Sequence, residues 1–184
     1  MEYALEFDHE KIGDLAQRYT AGQPQKEREA EAQITDVLGP AARKRGWFTK
    51  AEFLNLCEWK SPRTKSLCAR NEEGYIIEVT KLALKTESER LRIEVLTLLD
   101  GVGWPTASVL LHFGYHDQYP ILDFRALWSL NIPQPKVEYR FSFWWEYVTT
   151  CQELAKKLDV AMRELDRALW QYSLESQSRS PSLS

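Results

Sequence analysis

The chain of 184 residues is 43% hydrophobic and 12% aromatic, which suits one domain with a sizeable core, or one domain with an extension. A formal net charge of −3 and a pI near 5.7 exclude a broadly basic nucleic-acid binder, so any grip on phosphates has to be local. Three widely separated cysteines exclude a disulfide framework and point to a reducing compartment; no apolar run approaches the ~18 residues of a membrane span and no secretory leader pattern is visible, so the expected location is cytoplasmic.

Residues 1–22 carry one short amphipathic helix, with Asp8 as its cap and Ile12, Leu15, Ala16 and Tyr19 as its apolar stripe. Ala21-Gly22-Gln23-Pro24 reads as a turn. From Pro24 to Leu38 the pattern predicts a charged helix with Ala30, Ile34, Val37 and Leu38 facing inward. Its run from Gln25 to Glu31 reads as a solvated face, and Gly39-Pro40 as its end. Arg43-Lys44-Arg45-Gly46-Trp47 is a basic loop or helix end. Thr49 suits the N-cap of a helix from Lys50 to Lys60, with Glu52 completing a capping box, and Ser61-Pro62 interrupts it. Between Arg43 and Arg70 eight basic residues stand against two acids. This is the stretch with an electrostatic case for DNA phosphates, and Lys60, Arg63 and Lys65 lie at its break. A helix from Asn71 to Leu84 follows, with Ile76, Val79, Leu82 and Ala83 on its buried side.

The most informative stretch runs from Leu98 to Asp123. An apolar helix (Leu91, Ile93, Val95, Leu96, Leu98, Leu99) is broken by Gly101-Val102-Gly103, and a second apolar helix begins at once. Glycine stops a helix because it enters the left-handed region without a Cβ clash. Pro105 suits the first turn of the next helix, where its missing N–H would have been unpaired anyway. Such a hairpin offers unpaired amides and the positive end of a helix dipole to an anion, and its glycines let a phosphate come close. It also has the plainer reading of a helical pair that needed a short turn. Trp104 within it either packs the turn or touches a sugar or base.

Beyond Asp123, which can cap the short helix that follows, Asn131 to Pro135 reads as a linker. Two aromatic-rich helices, from Tyr139 to Leu158 and from Val160 to Leu174, close the fold, and Ser176–Ser184 reads as a disordered tail. His112 and His116 bracket Gly114 without a metal-binding pattern: His112 is expected to make one hydrogen bond in the core and His116 to be exposed, so no metal and no cofactor are expected. No alternating strand pattern persists, and the class is all-α. The expected organisation is an N-terminal helical extension over 1–48 packing on a main domain over 49–175, with a tail over 176–184.

The sequence Leu99-Asp100-Gly101-Val102-Gly103-Trp104-Pro105-Thr106-Ala107, followed by an apolar helix and Asp123, resembles the helix-hairpin-helix DNA glycosylase superfamily, which includes endonuclease III. The resemblance implies a helical bundle of that type. Gly101, Val102, Gly103, Trp104 and Thr106, with Lys60, Arg63 and Lys65, would then contact the DNA backbone. Asp123 would be the catalytic carboxylate that stabilises positive charge on the sugar, and a flipped base would need an aromatic pocket, to which Tyr119 and Arg125 stand close. The implied partner is double-stranded DNA with a damaged or mismatched base, in base excision repair. Two departures bear on mechanism. The superfamily's lyase members place a lysine immediately before the Thr-Ala pair, where this chain has Pro105, so a monofunctional glycosylase without lyase activity is expected. Nor does the chain carry the four clustered cysteines of the iron–sulfur members. Two alternatives stand beside this: the same fold as a non-catalytic DNA-binding module, and a protein-interaction domain using its aromatic C-terminal helices.

Overall fold

The computed structural model describes residues 4–132 and 138–179, and these contain helices and no strand. Pro133 to Pro135 of the expected linker and residues 180–184 of the expected tail lie outside the described residues. Asp8 accepts from the Glu10 N–H and starts a single helical turn that leads into α1 (Ile12–Gly22). α1 buries Ile12, Leu15 and Ala16 along the last helix of the fold, α11 (Met162–Arg179). Each of the two larger side chains contributes on the order of 2 kcal/mol of hydrophobic stabilisation there. α11 runs through Ser176 to Arg179, so the first residues of the expected tail are helical.

The second helical segment departs from expectation. α2 (Gln25–Gln33) passes through a widened π turn (Ile34–Leu38) directly into α3 (Gly39–Arg45), and Gly39-Pro40 does not end it. Pro40 sits in the first turn of α3, where a missing N–H costs least. Gly39 is there for close approach: a Cβ on it would lie 2.9 Å from the Phe113 carbonyl oxygen. The wider turn also shifts the register, so Ile34 is buried while Val37 is exposed. The charge run is not uniformly solvated either, because Glu31 is buried. The helix ends where Gly46 takes a left-handed conformation (φ +88°).

Thr49 and Glu52 form the full capping box that starts α4 (Lys50–Lys60). A short break at Pro62–Thr64 leads to α5 (Lys65–Cys68) and then to α6 (Glu73–Lys85), where Leu82 is exposed rather than buried. Ser88 caps α7 (Glu89–Leu96), and Gly103 starts α8 (Trp104–Gly114) with Pro105 in its first turn. Every residue of α8 from Thr106 to Gly114 is buried, so this helix is enclosed on all sides and needs an apolar sequence all round. α9 (Phe124–Ser129) and α10 (Phe141–Leu158) complete the bundle, with Trp144 and Tyr147 of α10 fully buried.

The polar side chains of α8 hold the segment that carries Asp123. Ser108 Oγ accepts from the Leu122 N–H at 2.8 Å, and His112 Nδ1–H donates to the Tyr119 carbonyl at 2.7 Å. From α10 the Tyr147 hydroxyl donates to the Ile121 carbonyl at 2.9 Å, and from α11 both carboxylate oxygens of Asp166 accept from the Ile121 N–H at 3.2 Å. Three helices thus fix the extended backbone that delivers Asp123 to the start of α9.

Candidate functional site

Asp123 stands at the N-cap of α9, where its Oδ1 accepts from the Arg125 N–H at 2.9 Å. Its Oδ2 accepts from Lys60 Nζ at 2.6 Å. Lys60 is the last residue of α4, and the Ser61-Pro62 break directs the chain away just past it. Both side chains are largely covered, at 12% and 20% exposure for Lys60 and Asp123. A largely covered ion pair between elements 63 positions apart is a built feature of the fold.

Both residues line a cavity of about 580 Å³. Three aromatic side chains, Tyr19, Trp59 and Trp170, wall it, with the Tyr19 and Trp170 rings edge to face at 5.2 Å. The Arg163 guanidinium lies 5.4 Å from the Trp59 ring centre and 5.5 Å from that of Tyr19. It is fixed there by Glu31, whose Oε1 accepts from Arg163 at 2.8 and 3.0 Å and from Arg167 at 2.6 and 3.2 Å. Burial pushes the Glu31 carboxyl up, but the two guanidiniums outweigh it and hold it below its ordinary value. Asp166 lies at the floor, where burial, opposed by the Arg163 charge, raises its carboxyl to about 7. Burial likewise lowers the neighbouring His112 to about 3 and keeps that imidazole neutral. Burial, and after it the negative charge of Asp123, raise the Tyr139 phenol above its ordinary value.

The hairpin has the form its glycines imply. Gly101 is left-handed (φ +78°), and a Cβ on it would lie 2.8 Å from Cys68 Sγ. Among the described residues no acceptor engages the backbone N–H of Gly103 or Trp104, and no side chain caps α8. Asn71 braces the turn by donating to the Cys68 and Asp100 carbonyls at 2.9 and 3.0 Å and accepting from the Asp100 N–H at 2.9 Å. The segment between Pro62 and Asn71 therefore connects the two features. Pro62 lines the cavity, and Leu67 and Cys68 lie against Gly101.

Several sequence-chosen residues stand elsewhere than expected. Tyr119 is 3% exposed, stacks on Trp144 at 5.9 Å and donates to Glu89 at 2.8 Å, so it packs the core and does not line the cavity. Thr106 and Val102 are buried and cannot meet a phosphate through their side chains. Trp104 is partly buried against Trp144. Arg125 lies 5.1 Å from the ring of Trp170, behind the cavity wall. Lys60 faces Asp123 and is not a surface cation. Arg63 and Arg70 are exposed, and so is Lys65, which pairs with Glu58 at 2.8 Å. Arg45 pairs with Glu52, and Arg43 donates to the Phe113 carbonyl at 2.9 Å. These two cations brace the fold.

Glu31, Arg163, Asp166 and Trp170 were not among the sequence-chosen residues. Asp166 was detectable as a lone acid within the apolar stripe Met162, Leu165 and Leu169. Glu31 gave no signal, since it lies in a run of charges and its partners are 132 and 136 residues away. Cys57, Cys68 and Cys151 are free and buried, and among the described residues no group of side chains could hold a metal ion. No helix among the described residues is long and apolar enough to cross a membrane. No family model, no curated protein and no solved structure matches the chain.

Proposed function

We propose that the protein binds duplex DNA through the Gly101–Gly103 hairpin and releases a damaged or mismatched base by cleaving its N-glycosidic bond, as a helix-hairpin-helix DNA glycosylase. The observation that carries this reading is that Asp123 lines a cavity walled by three aromatic rings, with the braced hairpin one short segment away. The open amides of Gly103 and Trp104 at the start of α8 suit a phosphate, and exposed Arg63 and Arg70 on the adjoining segment supply local positive charge in an acidic protein. A base drawn out of the stack needs aromatic faces to lie on, and Tyr19, Trp59 and Trp170 provide them. As the base departs, positive charge develops on the sugar and the Asp123 carboxylate stabilises it.

One observation favours a second reading, in which the fold binds DNA without cleaving it: both Asp123 oxygens already have partners, the Arg125 amide and Lys60. The test is release of free base from a panel of duplexes, each carrying one damaged or mismatched base, by wild type and Asp123→Asn. Release by wild type alone supports the glycosylase. Salt-dependent binding with no release from any duplex supports the binding module. No duplex binding at all ends both readings.

A further inference from the structure

The outer side of the Trp170 wall carries side chains that the base-release step does not use. Phe124 follows Asp123 directly as the first residue of α9, and at 52% exposure it is the most exposed aromatic residue among the described residues. α9 anchors itself through buried Ala126, Leu127 and Ser129, and half of the Phe124 side chain is left in water. The Arg125 guanidinium lies 5.1 Å from the ring centre of Phe124 and 5.1 Å from that of Trp170. Trp170 in turn meets Tyr19 edge to face, and both of these rings line the cavity. Tyr19, Trp170, Arg125 and Phe124 therefore form one continuous series, three rings and a guanidinium, from the cavity wall to the surface. Asp123 fixes its outer end, since Oδ1 accepts from the Arg125 N–H at 2.9 Å. Aromatic faces and guanidinium planes of this kind are what unpaired bases stack on, whereas a base inside a helix has both faces covered by its neighbours.

The charges near the cavity point the same way. Among the cations between Arg43 and Arg70, protein groups already hold Arg43, Arg45, Lys60 and Lys65. At the cavity, exposed Lys26 is followed by exposed Glu27, and the two offset one another. Affinity for a duplex comes chiefly from neutralised phosphates, and a duplex carries roughly twice the linear charge of a single strand. With few free cations here, stacking gains the protein more than a second phosphate backbone would. We propose that Phe124 and Arg125 form a stacking platform for an unpaired nucleotide beside the target, so that the substrate class is DNA already opened around the target base rather than a continuous duplex. The inference rests on the DNA-glycosylase reading, because it takes the nucleotide drawn into the cavity as the neighbour of the stacked one. The hairpin holds phosphates of a paired flank, and the platform holds a base that has left its own partner.

The test compares two fluorescein-labelled DNAs that share one strand: a fully paired duplex, and the same duplex with a short central bubble made by mismatching the other strand. Fluorescence anisotropy gives the affinity of the full chain for each. Wild type should bind the bubble about 10-fold more tightly than the duplex, the factor that one base stacked on an aromatic face brings. Phe124→Ala should lose that preference and keep its affinity for the duplex, and Phe124→Trp, which restores an aromatic face, should keep the preference. Should Phe124→Ala fail to fold, judged by circular dichroism, Phe124→Leu keeps the apolar bulk without a ring face and should show the same loss. Equal or tighter binding of the duplex by wild type, or a preference that survives removal of the ring, overturns the platform and leaves the DNA reading standing. Binding to neither DNA overturns the two together.

Discussion

The imidazole of His112 and the carboxylate of Asp166 stand 3.5 Å apart in the core, each displaced toward its uncharged form. Their contributions to stability run in opposite directions with pH. Asp166 is raised to about 7, so between its unfolded value of ~3.9 and pH 7 the folded chain keeps a proton that the unfolded chain has lost. Its contribution to stability therefore falls as pH rises through that window. His112 is lowered to about 3, so as pH falls from ~6.5 the unfolded chain gains a proton that the folded chain refuses. Its contribution falls with falling pH. Asp166→Asn removes the first slope. The stability of the variant relative to wild type should climb between pH 4 and 7, by up to roughly 4 kcal/mol. Urea unfolding of both proteins at several pH values in this range measures it, and a constant difference between them would show that Asp166 is ionised throughout.

Asp123→Asn keeps the N-cap of α9, since asparagine caps as well as aspartate, and loses the negative charge beside Lys60. The expected outcome is unchanged duplex retention, base release lowered by about 100-fold or more, and a stability loss of roughly 1–3 kcal/mol, because Lys60 is left largely covered without its counter-charge. Single-turnover base release and thermal unfolding separate the two effects.

The two hairpin glycines should behave differently when replaced by alanine. At Gly101 the left-handed backbone and the contact with Cys68 oppose a Cβ, and a loss of roughly 1–3 kcal/mol of stability is expected. At Gly103 the backbone is extended, and a Cβ would meet nothing nearer than Pro105 at 3.8 Å, so stability should change by less than about 0.5 kcal/mol. Gly103→Ala should nonetheless weaken duplex binding, because the methyl group stands where a phosphate would approach the α8 amides. Equal affinity of Gly103→Ala and wild type for duplex DNA would remove the hairpin from the interface.

Glu31→Ala leaves the Arg163 and Arg167 guanidiniums without their shared acceptor. The cost should be roughly 3 kcal/mol, at the lower end for a buried pair because Arg167 is partly exposed. Since the Glu31 carboxyl is held below its ordinary value, this contribution is present above the unfolded value of ~4.3 and is lost as pH falls through the folded one. Wild type and variant should therefore converge in stability in acid, which chemical unfolding at pH 3 and 7 tests.

What could be read from the sequence was local. Asp8, Thr49 with Glu52 and the Gly101–Gly103 turn declared themselves because a cap or a left-handed residue acts within a few positions. His112, too, makes the core hydrogen bond expected of it. The failures came from distance. Pro24 to Leu38 seemed to end at Gly39-Pro40 because nothing nearby reveals that the Phe113 carbonyl will lie against Gly39. Tyr119, close to a turn, read as accessible, but Trp144 and Glu89 claim it from other helices. The cavity was missed for the same reason: α2 forms one side of it, in the region read as an N-terminal extension, and α11 supplies Arg163, Asp166 and Trp170.

The double hold of Asn71 on Asp100 and Cys68 has a mechanical consequence. It makes the glycine turn and the edge of the Lys60 chamber two ends of one short strut, so a load applied to either end is transmitted to the other. Shortening Asn71 to alanine would uncouple those ends while leaving both in place.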